Sequence, residues 1–145
     1  MCDRCDYGTL LRDRDLDRTL NRVRILEIIG NSSRPLSAHE IFAKAKRGEN
    51  INRVTVYRIL DLLVENRLVE RISAGDRSFR YGLAPNANHG RHAHFYCTGC
   101  GRMECLSPGS PVVDMASLES TIPGTIERVE VRLDGICETC LDQAK

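Results

Sequence analysis

Three histidines run into a Cys-x-x-Cys pair in the stretch His89-Gly90-Arg91-His92-Ala93-His94-Phe95-Tyr96-Cys97-Thr98-Gly99-Cys100-Gly101, and a second pair, Cys137-Glu138-Thr139-Cys140, follows near the C-terminus. Two such knuckles offer four thiolates, which satisfy a tetrahedral Zn²⁺ completely and leave no position for water or substrate. Cys97, Cys100, Cys137 and Cys140 therefore predict a closed, structural zinc site. The competing reading of the same sulfurs is two buried or redox-active dithiols, and a fold that survives chelation would favour it.

The imidazoles lie outside the four-sulfur set and suit a second, exchangeable divalent cation. His92 and His94 are two apart, so on an extended strand they face the same side. His89 is a third candidate, near enough through Gly90 to fold back. Cys105 shares a strand face with Met103. A lone cysteine is commonly a buried apolar thiol; the functional alternative is a thiolate completing a His/Cys sensing site. Glu104 is the oxygen alternative, and because adjacent strand residues point oppositely, Glu104 and Cys105 are not expected on one ion. A soft thiolate beside imidazoles favours Zn²⁺ over Fe²⁺ or Mn²⁺. Cys2 and Cys5 form a third such pair, either adventitious or a redox element.

A chain of 145 residues, 41% hydrophobic and 28% charged, is globular in composition and long enough for one domain or two small ones. No apolar run approaches the ~20 residues of a membrane span, and the first residues lack an apolar leader. The expectation is a soluble, cytoplasmic protein with no membrane partner, in which seven cysteines point to metal rather than disulfides. The net charge of +1 conceals an asymmetry: residues 1–83 carry 16 Lys/Arg against 12 Asp/Glu, and residues 84–145 carry 5 against 8. A basic first part suits polyanions and an acidic second part suits cations.

The elements that must hold these residues follow from periodicity. Residues 1–15 read as a charged, partly disordered extension. From Leu16, the positions Leu16, Leu20, Val23, Leu26 and Ile29 form one helical face, stopped at Gly30-Asn31. Ser37 and Glu40 form a capping box that opens a second helix, with Ile41, Phe42 and Ala45 inward. Asn52 caps a third helix over 53–66, with Val56, Ile59, Leu60 and Leu63 buried. Two strand-like runs, Leu68–Ser73 and Ser78–Leu83, flank a turn at Ala74–Arg77. Three helices and a hairpin are the order of a winged helix-turn-helix, whose last helix is offered to a DNA major groove. On that helix Tyr57 can contact a thymine methyl while Arg53 and Arg58 reach phosphates; Arg77 and Arg80 in the wing are further phosphate candidates.

Residues 84–91 read as a hinge, and 92–145 as a metal-binding dimerisation domain. Within it, His94–Cys97 and Arg102–Cys105 are short strands, Ser110-Pro111 opens a helix to about Ile122, and Val129, Val131 and Leu133 mark a half-buried strand. About 60 residues is marginal for an independent core, so metal and self-association are both expected to stabilise it. The fold class is α+β.

Thr55-Val56-Tyr57-Arg58, the run His92 to Gly101 and the terminal Cys137-x-x-Cys140 together resemble the ferric uptake regulator (Fur) family of metal-dependent repressors, over about Leu16 to Leu141. The resemblance implies a homodimer that binds double-stranded operator DNA and represses when its sensed metal is abundant. It also places Thr55, Arg18 and Arg22 at DNA-contacting positions. The chain departs from the iron-type pattern in the sensing site. Pro35 stands where a His is usual, Gly82 where the wing contributes an acid, and Cys105 where a Glu is common. No His follows His94, so an additional site that needs one is missing. The expected protein is a non-enzymatic repressor with no small-molecule substrate. The alternatives are a peroxide- or redox-sensing repressor of the same family and, remotely, a zinc-dependent hydrolase or deaminase. Against the last, no carboxylate falls beside the histidines as a general base.

Overall fold

The computed structural model describes residues 6–47, 50–85, 92–106 and 113–144. The calls on Cys2, Cys5, His89, Ser110 and Pro111, and on most of the hinge, fall outside these. The architecture is α+β: among the described residues there are six helices and five strands, with the strands in a two-stranded and a three-stranded sheet.

The extension read as charged and partly disordered contains helix α1, Tyr7–Arg12. Asp6 caps it by accepting the Thr9 N–H, and Tyr7 and Leu11, four apart on one face, are both buried. The Tyr7 ring packs so closely on Gly30 that a Cβ there would meet the phenol oxygen at 2.1 Å. Two apolar residues within a charged segment were enough to dock it, which a composition-based reading overlooks.

Helix α2 spans Leu20–Gly30 rather than starting at Leu16, with the Thr19 hydroxyl accepting the Arg22 N–H as N-cap. Its buried stripe is Ile25, Leu26 and Ile29, and Leu20, in the first turn, is 69% exposed. Helix α3, Ala38–Lys46, opens with the expected capping box: Glu40 N–H to Ser37, and Ser37 N–H to Glu40. Arg24 of α2 donates to the Lys44 and Ala45 carbonyls at the end of α3, closing carbonyls the helix leaves without intrahelical partners. Helix α4, Arg53–Glu65, is capped by Asn52 and buries Val56, Ile59, Leu60 and Leu63 as periodicity required.

Strands β1 (Val69–Ser73) and β2 (Phe79–Leu83) form an antiparallel hairpin in which Glu70 faces Gly82 and Arg71 faces Tyr81. Leu36 exchanges backbone hydrogen bonds with Tyr81, tying the hairpin to the turn before α3. One core joins α1–α4 with Val69, Tyr81 and Leu83.

Beyond the hinge, β3 (His94–Cys97) lies between antiparallel β4 (Met103–Cys105) and parallel β5 (Arg132–Gly135). Helix α5 runs Met115–Thr121, later than expected, because Asp114 supplies the cap by accepting the Ser117 N–H. The half-buried strand shortens to β5: Val131 only lends its carbonyl to the His94 N–H, and Leu133 is exposed. The last knuckle opens a short helix that periodicity did not reveal, α6, Glu138–Gln143. None of the described residues 113–144 is fully buried.

The two parts meet along β1. Ser73 donates its N–H to Glu130 at 2.8 Å and accepts from Arg132 at its carbonyl, also 2.8 Å. Arg128 donates to the Arg71 carbonyl. Ile72 and Ala74 of the hairpin pack with Tyr96 and Met103 of the other sheet.

Candidate metal centres and nucleic-acid face

Cys97, at the end of β3, and Cys100 are presented by a tight turn in which Gly101 takes φ +78°, a left-handed conformation natural to glycine. Cys137 and Cys140 come from the start of α6. The ligand atoms of all four lie within 4.8 Å of one another. Cys97 Sγ is 3.7 Å from Cys140 Sγ, and Cys100 Sγ is 3.8 Å from Cys137 Sγ. With Zn–S near 2.3 Å, the edge of a filled tetrahedron is about 3.8 Å, so the sulfurs stand at zinc spacing and the cysteines are free thiols rather than disulfides.

The backbone N–H groups of Cys137 and Cys100 lower the Cys97 thiol to about 6. Hydrogen bonding to Cys137 and Cys97, with burial and the neighbouring Cys100 adding to it, pushes Cys140 up to about 12. Opposite shifts in one cluster mean that four sulfurs cannot all ionise without a cation, and a divalent metal supplies it. The donor set fits Zn²⁺.

A second cluster lies at the opposite end of the same strand. His92, His94 and Cys105 bring their ligand atoms within 4.8 Å of one another. The imidazole centroids are 4.7 Å apart. The register explains the third member: His94 pairs with Cys105 across β3 and β4, so both point to one face. Glu104 pairs instead with Phe95, is exposed, and sits 3.5 Å from Arg102. Of the two acid-or-thiol candidates the structure gathers Cys105 and leaves Glu104 outside. The Cys105 residue is exposed at the sheet edge, yet its thiol lines a cavity, and burial there pushes its pKa up, with Glu70 adding to the rise.

That cavity, about 30 Å³, is bordered by His92, His94, Cys105, Pro35, Gly82 and Glu70. Glu70 was missed in the sequence reading, which placed β1 correctly without asking what its acidic residue faces.

On the other part of the molecule, α4 exposes Arg53, Val54, Tyr57 and Arg58 along one side. Thr55 is half-buried and donates its backbone N–H to Asn52. Val54, 56% exposed, is a second apolar residue on that face that sequence reading passed over; an apolar residue three before Tyr57 was the available signal. The Arg53 guanidinium lies 5.3 Å from the Phe42 ring centroid, which aims it. Arg18 precedes α2 and rests over Gly8, and Arg22 donates to the Asp17 carbonyl. Arg77 is exposed at the tip of the hairpin with φ +70°. Arg80 differs from expectation: its side chain is 12% exposed and bonded to Ser78 and Asp76, so it braces the wing turn.

Three helices with a hairpin wing, an exposed basic and apolar helix face, and a small α/β part with a zinc-spaced tetrathiolate define a metal-responsive, DNA-binding transcriptional regulator. The ferric uptake regulator family profile matches residues 13–109. A ferric uptake regulation protein of Campylobacter jejuni is 27% identical over 142 residues, 94% of this chain and 87% of the relative. Among solved structures, the ferric uptake regulator of Vibrio cholerae aligns with a TM-score of 0.72 at 25% identity, covering 91% of this chain and all of that one. A zinc uptake regulator complexed with zinc and DNA shares the fold, with a TM-score of 0.67 at 21% identity over 94% of this chain and 91% of that one. The chain belongs to the ferric uptake regulator family. Its members are transcriptional regulators rather than enzymes, and among the described residues no helix is long and apolar enough to cross a membrane.

Proposed function

We propose that the chain is a cytoplasmic homodimeric repressor that binds operator DNA when a regulatory divalent metal, Zn²⁺ in preference to Fe²⁺ or Mn²⁺, occupies the His92–His94–Cys105 cluster. The observation that carries this reading is the convergence of two imidazoles and a thiol on one small cavity. Thiolate and imidazole suit zinc, whereas carboxylate-rich sites suit manganese. A filled tetrahedral site holds its ligands at spacings of roughly 3.3–3.6 Å. Occupancy that fixes those spacings favours one arrangement of the winged helix, and a ligand acts only through such a preference.

Cys97, Cys100, Cys137 and Cys140 hold the structural Zn²⁺. Residues 1–83 serve as the DNA-binding domain, 84–91 as hinge and 92–145 as dimerisation domain. Thr55 and Tyr57 meet the major groove, with Val54 beside Tyr57, while Arg53, Arg58, Arg18, Arg22 and Arg77 lie towards the backbone; Arg80 supports the wing. Self-association is supported by Leu118, Ile122, Leu133, Ile136 and Leu141, all exposed in the half that buries least, and by β5 standing at a sheet edge.

The test is DNA binding, on a site selected from random sequence, at buffered free Zn²⁺, Fe²⁺ and Mn²⁺ without oxygen. Zinc is expected to promote binding at far lower free concentration, and Cys105→Ser to abolish that preference. Equal response to all three metals, or an indifferent Cys105→Ser protein, overturns the reading.

A further inference from the structure

The segment 128–132, which leads into β5, touches both the wing and the His/Cys cluster. The side chains of Arg128, Glu130 and Arg132 all reach wing strand β1. Val129 and Val131, between them, line a cavity of about 10 Å³ with His92 and His94, and the Val131 carbonyl accepts the His94 N–H at 3.0 Å. We propose that Glu130 and Arg132 are positioning residues for the regulatory metal: by holding Ser73 on the open edge of β1, they fix the winged helix against the strand that carries His94. This rests on the reading of the His/Cys cluster given above and deepens it.

Strand β1 has one strand partner, β2. At its two ends Leu68 and Ala74 bond across to Ala84 and Ser78, so alternation turns the N–H and C=O groups of Arg71 and Ser73 the other way. Such an edge is ordinarily open to solvent or to another strand. Here side chains take that place. Glu130 accepts the Ser73 N–H at 2.8 Å and its hydroxyl at 2.9 Å, Arg132 donates to the Ser73 carbonyl at 2.8 Å, and Arg128 donates to the Arg71 carbonyl. Asp134 aims Arg132 by accepting from Nε at 2.7 Å and from one terminal nitrogen at 3.1 Å, which leaves the other for Ser73. The Glu130 and Arg132 side chains are 26% and 25% exposed, so these charge-assisted bonds are partly shielded from water. Beneath them Ile72 and Ala74 pack with Tyr96 and Met103, and a Cβ on Gly75 would meet the Tyr96 ring at 2.5 Å. A polar clamp over an apolar floor sets one position for the wing.

A ligand that favours one arrangement binds with an apparent affinity reduced by the fraction of molecules in that arrangement. The clamp raises that fraction without touching the ion. Its loss therefore weakens metal binding while the ligand atoms, and with them the spectrum of a bound metal, stay the same.

The test uses the full-length protein with its structural zinc in place and Co²⁺ as the probe. Chelator competition reads affinity and d–d absorption reads the ligand set. Glu130→Ala should bind Co²⁺ about three- to tenfold more weakly, and Ser73→Ala, which removes only the hydroxyl, about two- to fivefold, both with unchanged bands. The double variant should be little weaker than Glu130→Ala alone, because the two share a contact. Glu130→Gln, whose amide oxygen still accepts the Ser73 N–H, should stay near the parent. Parent affinity in either alanine variant, altered bands, or losses that multiply in the double variant overturn the proposal. Should Glu130→Ala lose its structural zinc, Ser73→Ala, which leaves the C-terminal part unaltered, decides alone. Cys105→Ser separates the two levels. If it loses the thiolate-to-cobalt band while the clamp variants match the parent, only the clamp is misassigned. If it keeps that band, the His/Cys reading fails, and the proposal with it.

Discussion

The Cys97 sulfur accepts the Cys137 N–H at 3.3 Å and sits at zinc spacing from Cys140, so each knuckle is held partly by the other. Removing one thiolate should therefore cost the whole site. Cys137→Ser is expected to lower zinc content by one per chain and to unfold the C-terminal part, since a structural zinc contributes on the order of 10 kcal/mol to folding. Zinc analysis and amide exchange of β3–β5 check this; a variant with full zinc and protected strands would contradict the tetrathiolate. Arg58, exposed on α4, carries a separate expectation. If it neutralises a phosphate, Arg58→Ala should flatten the dependence of log K on log salt by about one per subunit. An unchanged slope in a salt titration would place Arg58 off the backbone.

Capping and packing decide the helices, and both can be measured. In α3, burial works to raise the Glu40 pKa, but the Arg34 hydrogen bond at 2.7 Å and the Ser37 N–H overcome it, so the carboxyl lies below its usual value. A lowered folded pKa means the box stabilises fully above the ordinary carboxylate range and loses that contribution as pH falls through the folded value. Ser37→Ala should cost about 1 kcal/mol at neutral pH, and Glu40→Gln should flatten the acid limb of stability, both read by denaturant melts along a pH series. A Glu40→Gln protein with the parent's acid limb would remove the box from the account. In α1, Leu11 is fully buried against α2 and the core. Leu11→Ala should cost about 2–5 kcal/mol. A loss below about 0.5 kcal/mol, the range of surface changes, would show that α1 only rests on the domain.

At the level of the whole molecule, the burial is lopsided. The helical part encloses a continuous core, while residues 113–144 hide no side chain completely and present five large apolar residues. Such a face is stable once covered, and in the homodimer we propose a second copy covers it through the edge of β5. Leu133→Asp with Ile136→Asp should give a monomer in sedimentation equilibrium and a large loss of DNA affinity, because two half-sites are no longer read together. A double variant that stays dimeric would move the interface away from β5.

Local chemistry wrote much of this in one dimension. The Ser37–Glu40 box, the Asn52 cap, the stripe of α4 and the two knuckles depend on neighbours within a few residues, so spacing alone specified them. The family match likewise rested on short runs, of which Thr55–Arg58 and His92–Gly101 lie within the profile's residues 13–109. Choices between nearby candidates needed the fold. Whether Glu104 or Cys105 joins the histidines depends on strand register, which places His94 opposite Cys105 and turns Glu104 outward. Glu70 reaches the same cavity through hairpin pairing with Gly82, and α1 forms because a helix further along supplies the surface that Tyr7 and Leu11 bury. Periodicity reports which side a residue faces within its own element; what stands across from that side is set by long-range packing, and only the tertiary structure contains it.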